Sequence, residues 1–330
     1  MNELINTKQQ DSMTAWYAVF VLLLAYVLSF VDRIILSLLV TPIKEDLGTT
    51  DAQMGLLMGF AFAIFYTLAG IPIAKYSDVK SRKMIIAIGI FLWSIMTAVC
   101  GLARSFFQLF LARVGVGIGE AALTPAAYSM ISDYFSEEKL GRAMAVYKSG
   151  AMFGGGLAFI IGGAVVGYVV NSDSIILPVL GELKPWQMAF IIVGLPGVLI
   201  GLLMLTVKEP SRTGVADTLD KKVSISAAIK YMQKRWRVYL FIFLGFAFMA
   251  APISSALTWI PVYLQRIHEM SIPESGRTLG IIIFFLSSSG VLFSGWLIDT
   301  FKKRGYQDSY FKVALIICLV SLPIIYYAMN

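Results

Sequence analysis

The chain has 330 residues, of which 58% are hydrophobic and 14% charged; soluble domains carry about 25% charged residues, so a soluble fold is excluded. The apolar residues gather into runs of about 20, the length that crosses roughly 30 Å of hydrocarbon, and the mean hydropathy is +0.77. The net charge of +7 comes from basic residues in short segments between these runs rather than from a stripe on a soluble face, which excludes a nucleic-acid surface.

The first apolar run starts near Trp16 and contains Asp32 and Arg33, so it is too long and too charged for a signal-peptide core and is expected to stay in the mature protein. Apolar runs of membrane-crossing length predict spans over 16–40, 53–76, 84–103, 106–134, 142–170, 186–207, 238–263, 278–300 and 311–329. The fold class is therefore an all-α membrane protein. The fourth and fifth runs are long enough to tilt or to extend past the surface. Cys100 and Cys318 both lie inside apolar runs, where small buried or lipid-facing thiols are expected, with no disulfide and no metal site.

With the N-terminus placed in the cytoplasm, twenty of the 27 Lys and Arg residues fall in cytoplasmic loops and helix ends, five on the opposite side, and Arg33 and Arg113 in the membrane. A multi-pass protein of the bacterial inner membrane with a cytoplasmic N-terminus is expected. The longest polar segment, 208–237, separates six spans from three and reads as a cytoplasmic linker between an N-terminal bundle (1–207) and a C-terminal bundle (238–330). An internal echo supports the division. Ala74-x-x-x-Asp78-x-x-x-Arg82-Lys83 follows the second span, and Gly295-x-x-x-Asp299-x-x-x-Lys303-Arg304 follows the eighth, with the small residue, the acid and the basic pair all in register. An offset of six spans implies a two-bundle frame of twelve spans, with about nine present and three expected beyond Asn330.

These two copies resemble the loop signature of the major facilitator superfamily, Gly-x-x-x-Asp-x-x-x-Arg-Lys/Arg, with Ala74 and Ser81 standing where the first copy would carry glycines. Within that superfamily the chain is similar to the spinster-like branch, through Asp32-Arg33, the string from Arg113 through Glu120 and Tyr128 to Asp133, the stretch from Trp186 to Pro196, and Lys208-Glu209-Pro210. The resemblance implies secondary active transport by alternating access, proton coupling at membrane acids, and, in animal members, lysolipid or sphingoid-phosphate substrates. A small organic-anion or carboxylate symporter, or a non-transporting truncated remnant, is the alternative. The expected partners are protons, an anionic small-molecule or lipid-like solute and membrane lipids, around a monomer.

Ionisable side chains inside a span cost about 2.5 to 3.5 kcal/mol each, so they face a cavity or a partner. Arg113 and Glu120 are two helical turns apart and share a face, with Thr124 a further turn along. In the resembled fold the first and fourth spans line the central cavity, which would set Asp32, Arg33, Arg113 and Glu120 around one aqueous path. Asp32 and Glu120 are expected to exchange protons while Arg33 or Arg113 serves as counter-ion or holds the anionic solute; permanent pairing of Asp32 with Arg33, or of Arg113 with Glu120, is the structural alternative. Asp78 is expected to pair with Arg82 or Arg142 and latch one conformation. Lys83 belongs to the same gating motif, as do Asp299, Lys303 and Arg304 in the second copy.

Gly150, Gly154 to Gly156, Gly162 and Gly163, together with Gly115, Gly117 and Gly119, read as helix-packing positions rather than a phosphate loop. Lys148 reads as a helix-end cation at the cytoplasmic surface, the alternative being that it faces the cavity; His268 reads as a solvated loop residue, and Phe241, Phe243, Phe246, Phe248, Trp259 and Tyr263 as lipid-facing or packing groups. Ser254, Ser255 and Thr258 are candidate cavity liners. With one histidine and no nucleophile–base set, the chain is not expected to be an enzyme or to hold a cofactor.

Overall fold

The computed structural model describes residues 12–170, 175–177, 181–212, 225–306 and 308–329; some side chains within its helices, those of Asp299 and Lys303 among them, lie outside the described residues. Helix α1 (Met13–Leu38) opens at Ser12, whose hydroxyl accepts from the Ala15 amide, supplying one of the acceptors a helix N-terminus lacks. A short α2 (Val40–Leu47) ends at Gly48, which takes the left-handed conformation (φ +63°) that glycine adopts without strain. Next comes α3 (Asp51–Ser77), started by a Thr50–Gln53 capping box and containing a π-helical turn over Leu56–Phe60. A π-turn inserts one residue and rotates everything beyond it, including Phe62 and Tyr66.

Helix α4 is Arg82–Cys100, and α5 (Phe106–Tyr134) is broken by a turn at Ala121 and Ala122, directly after Glu120. Helix α6 (Glu137–Val170) leads to a small antiparallel ribbon, β1 (Ile175–Leu177) with β2 (Gly181–Leu183), which hydropathy does not reveal. Helix α7 (Pro185–Thr206) starts with proline at its first position, where no amide donor is needed. After the undescribed segment come α8 (Ile225–Lys234), α9 (Trp236–Ile267), α10 (Ile272–Lys303) and α11 (Ser309–Met329). Nine of these helices coincide with the nine predicted spans, and seven are long and apolar enough to cross a membrane on the described residues alone. The boundaries shift by a few residues, most at α10, which begins at Ile272 rather than 278.

Helix α1 packs against α6 and α7, α4 lies between α5 and α7, and α10 lies along α6. Small residues allow this closeness, since close backbone approach is a main means of helix association in lipid. A Cβ on Gly119 of α5 would come 2.6 Å from the Trp93 amide nitrogen of α4, and one on Gly156 of α6 would come 2.8 Å from the Gly280 carbonyl oxygen of α10. Along α9, Phe241, Phe243, Phe246 and Phe248 are exposed, as lipid-facing or packing groups are expected to be.

Candidate functional site

The first and fourth spans bring their charges together across the helix interface, not along one helix. Arg33 of α1 donates from Nε to Glu120 Oε2 at 2.7 Å, and its Nη2 lies 2.5 Å from the same oxygen. Arg113 of α5 donates from Nη1 to the Asp32 backbone carbonyl at 3.0 Å. Neither of the pairings anticipated within a single helix forms. A helix directs adjacent residues such as Asp32 and Arg33 about 100° apart, so Arg33 reaches Glu120 of α5 while Asp32 faces Thr97 of α4. Asp32, Arg113 and Glu120 are at most 1% exposed, whereas the Arg33 side chain is 32% exposed.

Apart from Thr97 of α4, no described side chain hydrogen-bonds the Asp32 carboxylate, and Glu120 Oε1 has no partner among the described residues. A buried carboxylate oxygen left without a hydrogen bond is costly. The Arg33 guanidinium lies 4.7 Å from the Phe62 ring centroid and 5.5 Å from those of Phe30 and Tyr66. This aromatic surround holds the guanidinium flat while leaving a third of it accessible. The π-turn in α3 helps set the phase of Phe62 and Tyr66.

Two turns from Arg33 along α1 stands Tyr26, stacked on Tyr147 of α6 at 4.9 Å, with Tyr128 of α5 edge-on to Tyr147 at 5.6 Å. The Lys148 Nζ lies 5.6 Å over the Tyr128 ring. Of the two readings of Lys148, the helix-end one fails, since the residue lies well inside α6. Helix α6 begins at Glu137, three turns earlier, and at neighbouring Gly150 a Cβ would touch Leu23 and Tyr26, close to the midpoint of α1.

The loop motif gathers around Arg82, which is fully buried. Its Nη1 pairs with Asp133 and donates to Ser129 Oγ at 3.0 Å, Nε donates to Glu209 Oε1 at 2.9 Å, and Nη2 donates to the Pro210 carbonyl at 2.9 Å. The Lys83 amide and the Ser81 hydroxyl donate to Glu209 Oε2 at 2.8 and 2.9 Å, and Lys83 Nζ reaches the Leu205 carbonyl at 3.2 Å. The expected Asp78–Arg82 and Asp78–Arg142 contacts are not formed. Asp78 and Arg142 are exposed, and no ion pair joins either to another described residue, because α5 and the exit of α7 offer Arg82 carboxylates at shorter reach. Arg304 is exposed, while the Asp299 and Lys303 side chains lie outside the described residues.

Asp133 and Glu209 are the functional residues that single-motif reading passed over, although both fall in the quoted strings. Burial alone would push the Glu209 carboxyl up, but the Lys83 amide, the Arg82 guanidinium and the Ser81 hydroxyl together hold it below its usual value. A carboxyl depressed in the folded state contributes stability in full above the ordinary glutamate range, about pH 4, and loses it as pH falls through the folded value. Melting of the purified protein between about pH 6 and pH 3 should therefore show an acid-side loss of stability that Glu209→Gln makes shallower. An unchanged slope would remove Glu209 from this linkage.

At the opposite end, Asp51 accepts from Lys44 at 2.7 Å and from Arg266 of α9 at 2.8 and 3.1 Å, tying the start of α3 to the end of α9. Trp186 Nε1 donates to Asp46 at 2.8 Å, and Lys184 pairs with the same carboxylate. His268 lies edge-on to Tyr263. Among the described residues no group of His, Cys, Asp and Glu could hold a metal ion, and Cys100 and Cys318 form no disulfide.

Comparison with known proteins places this geometry. An MFS-type efflux pump of Mycolicibacterium smegmatis is 32% identical over 300 residues, covering 88% of this chain and 64% of that protein. A probable L-galactonate transporter of Escherichia coli is 26% identical, covering 87% of this chain and 62% of its own length. The crystal structure of a bacterial homologue of the human lysosomal transporter spinster, inward-facing and unoccupied, superposes with a TM-score of 0.74 at 32% identity, covering 89% of this chain and 64% of that one. The chain thus spans somewhat less than two thirds of the length of these relatives. The family model of the Major Facilitator Superfamily matches residues 22–329. The chain belongs to the Major Facilitator Superfamily, and within it is similar to the spinster proteins.

Proposed function

We propose that the protein carries out proton-coupled secondary transport of an organic anion by alternating access, with its N-terminus, the 208–237 linker and the Arg82 end in the cytoplasm. The observation that carries the reading is the Arg33–Glu120 pair, in which a buried acid faces a partly accessible cation, set beside the buried carboxylate of Asp32, which forms no ion pair with a described residue. When Glu120 takes a proton, the guanidinium loses its internal partner and becomes free to hold a solute carboxylate or phosphate. Loss of that proton restores the pair and expels the anion. Asp32, on the adjacent α1 position, supplies a second proton site, and Arg113 fixes the α1 backbone beside it.

Residues 1–207 act as one bundle and 238–330 as part of the other, within a monomer. The spinster-like resemblance favours an amphiphilic, lysolipid-like anion. The small sugar-acid reading is supported by the galactonate transporter among the relatives and by the compact polar pair at the centre.

The test is substrate accumulation in proteoliposomes under an imposed pH gradient, with lysophosphatidate and D-galactonate as the probes. Asp32→Asn and Glu120→Gln are expected to retain exchange of internal for external probe while losing at least tenfold of pH-driven accumulation. Full accumulation by either variant would overturn the assignment of that acid to proton coupling.

A further inference from the structure

Lys148 is a cation inside the α6 span that the proton-coupling site does not use. It is exposed, it lies over Tyr128, and no carboxylate pairs with it among the described residues. Its neighbours from the packed elements are aromatic: Tyr128 of α5, and Tyr26 of α1 through the Tyr147 cluster. An ammonium at that depth costs about 2.5 to 3.5 kcal/mol unless water or an anion reaches it.

The arrangement has two rungs. Helix α1 contributes Arg33 to one and Tyr26 to the other; α5 contributes Glu120 and Tyr128 in the same way. Seven residues separate the α1 members, so the rungs stand about 10 Å apart at 1.5 Å per residue. Each rung carries one accessible cation framed by aromatic rings: Arg33 by Phe30, Phe62 and Tyr66, and Lys148 by Tyr128.

Resting on the anion-transport reading, we propose that Lys148 is a specificity-determining residue that binds a second acidic group, so that the preferred solute is a diacid whose two anionic ends bridge Arg33 and Lys148. A six-carbon chain with a carboxylate at each end, extended by the reach of the two side chains, covers the separation. The tyrosines at both rungs, Tyr66 beside Arg33 and Tyr128 beside Lys148, suit a chain bearing hydroxyl groups better than an acyl tail.

The experiment is calorimetric binding to the purified full chain in detergent, with galactarate and D-galactonate as the probes. They differ only at one terminus, carboxylate against hydroxymethyl. Wild-type protein is expected to bind galactarate at least tenfold more tightly. Lys148→Gln should abolish that preference while leaving the D-galactonate affinity unchanged, and Lys148→Arg should restore most of it, which loss of folding or packing would not produce. Arg33→Gln should weaken both probes. Equal affinity of wild-type protein for the two, or an undiminished preference in Lys148→Gln, overturns the diacid assignment alone. Binding of neither probe overturns the underlying small-anion reading together with it, and binding of lysophosphatidate in their place redirects the site to amphiphiles and also refutes the Lys148 assignment.

Discussion

Arg33→Ala is expected to lower the stability of the purified protein by about 2 to 3 kcal/mol, and Arg33→Ala combined with Glu120→Gln to recover most of that loss. The reasoning follows the asymmetry of burial. Glu120 is 1% exposed and its Oε1 is already unpartnered, so removing Arg33 leaves a buried charge with only the more distant Arg113 to offset it. Breaking a fully buried pair from one side costs about 3 to 5 kcal/mol, mostly because the remaining charge is uncompensated. The one-third exposure of Arg33 lets water replace part of its hydrogen bonding, which brings the expected figure down. Neutralising Glu120 as well removes the stranded charge, so the double variant should melt nearer to wild type than Arg33→Ala does. Thermal melts of the four members of this cycle at neutral pH give the coupling directly. A double variant that loses the sum of the two single effects would mean that the pair does not interact in the folded protein.

Much of this architecture was legible in the sequence because a bilayer imposes a coarse and strict rule: each crossing needs a run of apolar residues, and its charges need a reason to be there. All nine predicted spans appear as helices for that reason. The rule is silent on internal irregularity. The π-turn at Leu56–Phe60, the break after Glu120 and the β1–β2 ribbon depend on local packing and backbone hydrogen bonding that hydropathy does not encode. Among the site residues, identity was readable but partnership was not. Asp32, Arg33, Arg113 and Glu120 stand out as intramembrane charges, yet the sequence lets each acid pair with the arginine nearest to it along its own helix. The actual contacts depend on the rotation of α1 against α5, a quantity that spacing within either helix cannot supply. Lys148 shows the same limit. Its position was counted from the nearest polar loop, whereas α6 extends far enough beyond its partners to carry the side chain to the level of Tyr26. Asp78 and Arg82 belong to one motif, but the pairing is decided by which carboxylates the ends of α5 and α7 bring to a buried guanidinium.

That buried guanidinium carries the second large effect. Arg82→Ala is expected to destabilise the protein by about 3 to 5 kcal/mol, since it leaves Asp133 and Glu209 without their shared cation and empties a fully buried site. Arg82→Lys should recover only a minor part. A planar guanidinium directs Nε and both Nη atoms toward separate acceptors at once, here Glu209, Asp133 with Ser129, and the Pro210 carbonyl. An ammonium is a compact point charge on a flexible stem and cannot satisfy acceptors spread around a plane. The contrast with Lys83→Ala isolates the cause. Lys83 sits beside Arg82 and carries the same charge, but its side chain makes one hydrogen bond, to the Leu205 carbonyl, and the Glu209 contact comes from its backbone amide, which alanine keeps. Lys83→Ala should therefore shift stability by less than about 1 kcal/mol, as exposed cations do. Melting of the three variants side by side distinguishes geometry from charge: equal losses for Arg82→Ala and Lys83→Ala would make the cluster a simple excess of positive charge near the membrane surface. A large loss confined to Arg82 would make it a structural joint fastening the ends of α4, α5 and α7.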